Sequence, residues 1–398
     1  MVLRRALLAA SVLAWGSTGG STSFPRVAGY QPVSDISAAL AVGPAIEKVD
    51  EALAAEPRNW TAAQDAYLES LTGGLSLRSI LLPLTPGREL LNVSIRYHGS
   101  ADFVHEFVQH AFSGTGKFDL SEKMRQELAI KGVVLQGVLL ASITALQDSV
   151  ACCLAGQTDD SSGAPHDVDT AWSLYACSQS VGPIRLAEKR APQFDVEAAA
   201  PTEAGASKVN SRLLELFSQM QAEAQQGNCE MLGGLVSQSI SQMQVPVIQG
   251  MLREAYEVDP KESGEHHGAD GFVEVAEGWA FAMAVLPAIA ECSTETAAII
   301  VRNMDTLSLG EAGPHVPDGY EEVKRAVEST YACLGISCQD VNAMVSPWNT
   351  GQTLWEPCDD AKLPPLTTLG APTEKETSTA VHHARAVATA LVPLALLW

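Results

Sequence analysis

Basic residues are scarce in this chain of 398 residues, which carries 25 lysines and arginines against 47 aspartates and glutamates. The formal net charge is therefore −22 at pH 7. A nucleic-acid duplex or an anionic bilayer would repel such a surface, so binding to either through charge is disfavoured, whereas cations would be attracted. Solubility in an extracellular medium explains the same charge without any ligand.

Signatures of common catalytic sites are also missing from the chain. There is no G-x-S-x-G elbow, no phosphate-binding G-x-x-x-x-G-K loop and no dinucleotide fingerprint. His105 and His110 would lie about 140° apart around a helix, so they do not form the zinc pair of an H-E-x-x-H motif. None of the eight cysteines forms a C-x-x-C pair, which argues against a zinc knuckle. We therefore predict that the protein is not an enzyme.

The N-terminus has the composition of a targeting segment. Met1–Arg5 is basic, Ala6–Trp15 is apolar, and small residues fill Gly16–Ser23. This order predicts a secretory signal peptide over residues 1–22, because the apolar run is too short to span a bilayer.

The C-terminus ends in an apolar tail over residues 386–398, after a polar stretch over residues 373–385. Small residues at 378–380, or further back at Gly370-Ala371, would serve as an attachment site for a lipid. We therefore expect residues 378–398 to be a GPI-anchor signal, which follows a Pro-rich polar segment over residues 346–377. A disordered or weakly interfacial terminus is the alternative.

An exported protein is expected to carry disulfides and glycans. Eight cysteines favour disulfides, although the sequence leaves their pairing open. Sequons at Asn59 and Asn92 predict N-glycosylation on the extracellular side.

Helical periodicity dominates the rest of the chain, and no train of alternating strands is present. The candidate helices share apolar residues at helical spacing and cover residues 37–55, 101–111, 121–153, 208–226, 230–258, 272–292 and 319–334. Pro246 and Pro287 are expected to kink or break two of them. Lys131, Gln136 and Asp148 interrupt the apolar run of the third helix, which favours a core helix over a membrane span.

The sequence divides into two loosely similar halves, residues 35–190 and 207–345, joined by an Ala- and Pro-rich linker over residues 191–206. Each half has a long apolar helix, a Gly-rich loop with histidine, and an acidic segment that ends in tryptophan. Tyr175-Ala176-Cys177 recurs as Tyr331-Ala332-Cys333. We therefore predict an all-α helical bundle of two loosely repeated halves, stapled by disulfides.

An acidic segment in the second half is the main candidate for metal binding. Asp270, Glu274 and Glu277 stand at i, i+4 and i+7, which places three carboxylates on one helix face after His266 and His267. Carboxylates suit hard cations such as ferric iron, calcium or magnesium, and an added imidazole favours a transition metal. A solvated acidic helix face explains the same spacing, and spacing alone favours that simpler interpretation.

The first half has a smaller acidic segment before Trp172. His166 and Asp169 are three residues apart on the expected helix, close enough to share a ligand. Asp167 follows a Gly-Ala-Pro loop, where an aspartate more often caps the helix than binds a metal. The capping interpretation is therefore preferred here, unless the two halves share a site.

A third candidate lies on the helix that follows Gly99. Asp102, His105 and Glu106 stand at i, i+3 and i+4, so they share one helix face. Together with a carboxylate from the second half, they would form a metal-dependent oxidase site if an enclosed pocket surrounded them.

Two of these segments resemble the low-iron-inducible periplasmic iron-assimilation proteins of green algae, the Fea family. The segments are residues 166–177 and 272–287, above all Glu277-Gly278-Trp279-Ala280-Phe281, and a weaker resemblance extends over residues 35–343. The resemblance implies a secreted protein of the periplasm or cell surface that is induced by iron shortage and assists iron uptake. It also implies iron ligands at His166, Asp167, Asp169, Glu274 and Glu277.

With the resemblance counted, metal binding by Glu274 and Glu277 becomes the preferred interpretation. We predict a secreted protein that binds ferric or ferrous iron through carboxylates and histidines and serves a membrane iron transporter or ferrireductase. The alternatives are a metal-dependent oxidase and a non-catalytic cell-wall or adhesion protein whose acids only keep it soluble. Convergence of three or more of the named side chains would favour metal binding. Their dispersal into solvent would favour a protein whose acids only keep it soluble.

Overall fold

The computed structural model describes residues 24–81, 88–263, 271–312, 315–346 and 351–363. α-Helices form nearly all of the regular structure in these ranges, so the predicted all-α class is confirmed. The helices are Ser37–Leu40 (α1), Val42–Ala54 (α2), Trp60–Leu68 (α3), Glu89–His98 (α4), Phe103–Ser113 (α5), Glu122–Lys131 (α6), Leu140–Leu154 (α7), Ala164–Tyr175 (α8), Pro183–Arg190 (α9), Lys208–Gln226 (α10), Cys229–Val258 (α11), Pro260–Ser263 (α12), Gly271–Cys292 (α13), Thr294–Met304 (α14), Tyr320–Glu328 (α15), Tyr331–Leu334 (α16) and Cys338–Val341 (α17). The predicted signal peptide and anchor signal lie outside the described residues.

Helices α11 and α13 form an antiparallel pair at the centre of the fold. Gly250 of α11 lies against the ring of Phe281, where a Cβ would come within 2.7 Å of a ring carbon. Gly278 of α13 lies against Glu254 and Met304 in the same way, so the glycine of the Glu277-Gly278-Trp279 motif is where the two helices approach closely. The tight contact fixes the glutamates of both helices relative to one another.

A π-helix over Gly132–Leu139 joins α6 to α7, so the chain is helical without a break from residue 122 to 154. This long helix and residues 272–292 are long and apolar enough to cross a membrane. The most apolar windows of the two are 89% and 67% buried inside the fold, which supports the prediction of core helices. One buried apolar cluster runs from Val27 to Met344, so both predicted halves contribute to the same core.

Neither Pro246 nor Pro287 breaks its helix, so the predicted break at Pro287 is wrong, whereas the kink predicted as an alternative at Pro246 stays a prediction. Helix α11 continues through the first proline and α13 through the second. Each proline removes a helical hydrogen bond, at a cost of about 3 kcal/mol. Val245 and Val247 are completely or almost completely buried beside Pro246, and Leu286 is fully buried beside Pro287. Packing of these neighbours therefore outweighs the local preference to break.

The segment predicted as a linker, residues 191–206, is part of the fold. It begins with a 3₁₀ turn at Ala191–Gln193, and the strands Glu197–Thr202 (β1) and Gly205–Ser207 (β2) then form an antiparallel hairpin. The carboxylate of Glu188, on α9, accepts hydrogen bonds from the backbone N–H groups of Ala206 and Ser207, at 2.9 and 2.8 Å. The hairpin is therefore tied to α9 rather than free between two halves.

The predicted disulfides are present and connect elements that are distant in sequence. They join Cys153 to Cys229, Cys292 to Cys333, and Cys338 to Cys358. The first ties the end of α7 to the start of α11, and the second ties the end of α13 to α16. Such cross-links stabilise a fold mainly by restricting its unfolded chain.

Candidate metal site and the glutamate cluster

The predicted carboxylate face lies at the start of α13. Glu274 is in the first turn and half-buried, and Glu277 lies one turn further along with 14% of its side chain exposed. Three other predicted ligands fall outside the described residues: His266, His267 and Asp270. In the part of the chain that the structure describes, no three His, Cys, Asp or Glu side chains are grouped closely enough to hold a metal ion.

Glu277 belongs to a group of charged side chains at the junction of α6, α9, α11 and α13, which we call the glutamate cluster. It contains four acids and three bases, which are Glu127, Glu254, Glu257, Glu277, Lys131, Arg190 and Arg253. Two of the ion pairs in the cluster follow from helical spacing, because Lys131 follows Glu127 by four residues and Arg253 precedes Glu257 by four.

Lys131 lies between two carboxylates from different helices. Its Nζ is 3.3 Å from Oε1 of Glu277 and also contacts a carboxylate oxygen of Glu127. The guanidinium of Arg190, which is 1% exposed, makes a longer contact of 3.4 Å with Oε1 of Glu254. The ammonium of Lys131 therefore occupies the place that a metal cation would take between Glu127 and Glu277.

The pKa values of the two deepest glutamates shift in opposite directions. Burial alone would raise the pKa of Glu277, but the nearby charges of Lys131, Lys189 and Arg190 lower it to about 2. Burial, followed by repulsion from Glu277, raises the pKa of Glu254 well above its usual range. Glu277 is therefore ionised at neutral pH, and Glu254 tends to hold its proton.

Sequence reasoning missed most of this cluster, although a signal for it exists. Lys131 stands in an apolar helix, and Arg253, Glu254 and Glu257 stand within the buried length of α11. Charged residues are rarely fully buried unless they are paired. Charges within otherwise buried helices therefore predict a paired cluster, but their spacing does not show which partners meet.

Asp169 of α8 serves as a structural hydrogen-bond acceptor. It is fully buried, and its Oδ1 accepts hydrogen bonds from the Tyr30 hydroxyl at 2.6 Å and the Gln221 amide at 2.9 Å. Its Oδ2 accepts from the backbone N–H groups of Val33 and Ser34, both at 2.8 Å, and from the Ser34 hydroxyl at 2.7 Å. Five donors therefore hold this carboxylate and fix the N-terminal segment to α8.

The neighbours of Asp169 do not complete a metal site with it. The Nδ1 atom of His166 lies 3.0 Å from the Ser34 hydroxyl, and burial lowers the pKa of this imidazole, so it is neutral at neutral pH. Helix α8 begins at Ala164 with Gly163 at the N-cap, which places Asp167 inside the first turn. The interpretation of Asp167 as the helix cap is therefore wrong.

The three predicted ligands Asp102, His105 and Glu106 lie at the start of α5, with Asp102 at its N-cap. Asp102 and Glu106 are exposed, and Glu106 accepts a hydrogen bond from the Ser100 hydroxyl at 2.7 Å. The ring of His105 stacks on Tyr67 at 5.9 Å, and its pKa is lowered, first by burial. Two exposed carboxylates do not provide the enclosure that the oxidase alternative requires.

The two sequons lie in different surroundings. Asn59 is exposed and caps α3, where its Oδ1 accepts a hydrogen bond from the N–H of Ala62 at 3.0 Å. This bond leaves the amide nitrogen, to which a glycan is attached, at the surface. Asn92 is half-buried within α4. Glycosylation of both residues stays a prediction, and Asn59 is the more accessible.

Comparison with known proteins gives one match. The model of the family described as Fea1, low iron-inducible periplasmic protein, matches residues 6–358 of the chain. The matched range includes both segments that carry the resemblance, residues 166–177 and 272–287. Neither a curated protein nor a solved structure matches the chain.

Proposed function

The chain belongs to the Fea1 family of low iron-inducible periplasmic proteins, and on this premise we propose that it binds iron at one end of the α11–α13 helix pair. The family also gives the chain its periplasmic or cell-surface location and its link with iron assimilation. Direct binding of iron, its ligands, and its release to a membrane transporter or ferrireductase are the parts that we propose here.

The connection between α11 and α13 is the observation that carries this proposal. It is rich in residues of the types that bind iron, namely Asp259, Glu262, Glu265, His266, His267, Asp270 and Glu274. Because α11 and α13 pack as an antiparallel pair, both ends of this short connection lie at the same end of the pair. Residues 264–270 lie outside the described part of the chain, and they directly precede the first turn of α13, which carries Glu274. Carboxylates and imidazoles together favour iron over calcium or magnesium.

The proposed ligands are Glu274 with His266, His267 and Asp270. Glu274 stands at the start of α13, directly after the connection, whereas Glu277 lies one turn deeper and contacts Lys131. A metal ion at Glu277 would have to displace the ammonium of Lys131. Glu277 would therefore take part in binding only if Lys131 moves away. The proposal does not extend to Asp169, whose oxygens already accept five hydrogen bonds.

Iron titration of ligand variants tests this proposal. The exported protein would be titrated with ferrous iron without oxygen, and with ferric nitrilotriacetate, in a calorimeter. Glu274→Gln is expected to weaken iron binding at least about tenfold, equivalent to about 1.4 kcal/mol. Combining it with His266→Ala and His267→Ala is expected to abolish measurable binding.

Glu230→Gln is the matched control, because Glu230 is an exposed glutamate in the first turn of α11, at the other end of the same helix pair. It removes the same charge and should leave iron affinity unchanged. Equal affinity in the wild type and in the triple variant would overturn the proposed site.

Iron affinity is also expected to fall as the pH falls. Binding requires ionised carboxylates and neutral imidazoles, so protons compete with iron below the ordinary histidine pKa of about 6.5 and again near the carboxylate pKa of about 4. Calorimetric titrations at a series of pH values would measure this loss. An affinity that stays constant from neutral pH to about pH 4 would contradict binding through these groups.

A further inference from the structure

A cavity of about 230 Å³ opens between α2, α6 and α9, next to the glutamate cluster. Six charged side chains line it, namely Asp50, Glu127, Lys131, Arg185, Lys189 and Arg190. Four of these are basic, although acids outnumber bases almost two to one in the whole chain. The charge of the lining is therefore opposite in sign to that of the protein.

The basic side chains form an exposed rim and a buried floor. Arg185 and Lys189 stand one turn apart on α9 and are exposed to solvent. Lys131 and Arg190 lie deeper, and each is 5.5 Å from the centre of the Phe281 ring. The cavity therefore presents positive charge from its opening to its base.

One buried donor of a basic side chain at this cavity has no acceptor among the residues that the structure describes. The Nε–H of Arg190 is buried and has no hydrogen-bond partner, whereas its Nη1 makes only the 3.4 Å contact with Glu254. Neither Arg185 nor Lys189 forms an ion pair with a described carboxylate. Buried polar groups in folded proteins almost always have a partner, so the unsatisfied Nε–H calls for an acceptor in the cavity.

The acids around the cavity do not accept a hydrogen bond from the Nε–H of Arg190. Glu127 is bound to Lys131, and Glu254 and Glu277 lie behind the floor, where they contact Arg190 and Lys131. Asp50 lies on α2, half-buried, across the cavity from α9. These acids hold the two basic groups of the floor in place, while the rim remains available to a ligand.

We propose that this cavity binds a small polycarboxylate anion of the citrate class, held by Arg190 at the floor and by Arg185 and Lys189 at the rim. The planar guanidinium donates parallel hydrogen bonds that match a carboxylate. Basic groups at both the floor and the rim suit an anion with more than one carboxylate, and the volume suits a small molecule rather than a peptide. Anion binding here goes beyond the proposed iron site and does not depend on it.

Calorimetry in metal-free buffer tests the inference on the iron-free exported protein. Citrate and tricarballylate, which carries three carboxylates but lacks the hydroxyl that citrate uses in chelation, are expected to bind with one-to-one stoichiometry. Acetate is expected to bind at least about tenfold more weakly, a difference of about 1.4 kcal/mol. Arg185→Gln should weaken citrate binding about tenfold, and Arg185→Gln with Lys189→Gln should weaken it further.

Arg212→Gln provides the matched control, since Arg212 is an exposed arginine of α10 paired with Glu215 at 3.1 Å. It makes the same change in net charge and should leave citrate affinity unchanged. Because Arg185 is exposed and forms no ion pair with a described carboxylate, Arg185→Gln should keep the wild-type melting temperature.

Four results would overturn the inference. The first three are the absence of citrate binding, binding of citrate but not tricarballylate, and phosphate binding more tightly than citrate. An equal loss of citrate affinity in Arg185→Gln and Arg212→Gln would also overturn it, because it would show a general charge effect. As no iron is present, these results are independent of the test at Glu274.

Discussion

Replacing Glu277 with glutamine is expected to lower the free energy of unfolding by about 3 to 5 kcal/mol at neutral pH. The variant keeps the shape of the side chain but removes the negative charge that lies 3.3 Å from the ammonium of Lys131. Lys131 would then remain largely buried, with Glu127 as the nearest carboxylate. Glu127 then compensates Lys131 without the help of Glu277, and a buried charge that has lost part of its compensation costs more than the intact ion pair contributes. Urea denaturation followed by circular dichroism would measure the loss.

Glu254→Gln is the control for this prediction. Burial and the charge of Glu277 raise the pKa of Glu254 well above its usual range, so its side chain tends to be neutral already. Glutamine therefore has nearly the same shape and charge as the protonated side chain of Glu254, and the free energy of unfolding should change by less than about 1 kcal/mol. Equal losses in the two variants would contradict the opposite charge states that we assign to the two glutamates.

The effect of Glu277 should also depend on pH in a defined direction. Its pKa is about 2 in the folded protein, below the ordinary glutamate pKa of about 4.3 in the unfolded chain. A lowered carboxyl pKa contributes stability that is fully present above the unfolded pKa and is lost as the pH falls toward the folded pKa. The stability difference between the wild type and Glu277→Gln should therefore shrink below about pH 4. A difference that persists unchanged near pH 2 would contradict the ion pair.

The helices were largely predictable from the sequence because their ends carry local signals. Residues 208–226 were predicted as one helix and form α10 with the same ends. The Ser207 side chain accepts a hydrogen bond from the N–H of Asn210 at its start, and Gly227 adopts a left-handed conformation at its end. The continuity of α11 and α13 through proline was not predictable in this way. It depends on packing against segments that are far away in the sequence.

The candidate site was less predictable for the same reason. Helical spacing correctly places Glu274 and Glu277 on successive turns, but it does not reveal that Lys131, from another helix, contacts Glu277. The spacing of His166 and Asp169 likewise gave no sign of the donors around Asp169, four of which come from residues 30 to 34. Long-range contacts decide whether an acid on a helix face is a ligand, an ion-pair partner or a structural acceptor.

Asp169→Asn tests whether this carboxylate is a structural hydrogen-bond acceptor rather than a metal ligand. The variant is expected to lower the free energy of unfolding by about 3 kcal/mol or more. The buried carboxylate accepts five hydrogen bonds through two oxygens. An amide in its place offers one oxygen and points an NH₂ group at donors, so at least two donors lose their acceptor. Each buried donor left without a partner costs about 1 to 3 kcal/mol. Denaturation of the iron-free protein would measure this loss.

Two further variants distinguish a structural role for Asp169 from a role as an iron ligand. Asp65→Asn, at an exposed position on α3, removes the same charge and should change the free energy of unfolding by less than about 0.5 kcal/mol. Ser34→Ala removes one of the five donors to Asp169 and should cost only about 1 kcal/mol.

Limited proteolysis should cut the segment around Tyr30 faster in Asp169→Asn than in either control, because this carboxylate holds that segment to α8. A variant that keeps its stability and protease resistance without iron, yet binds iron more weakly, would instead make Asp169 a ligand and contradict the structural role.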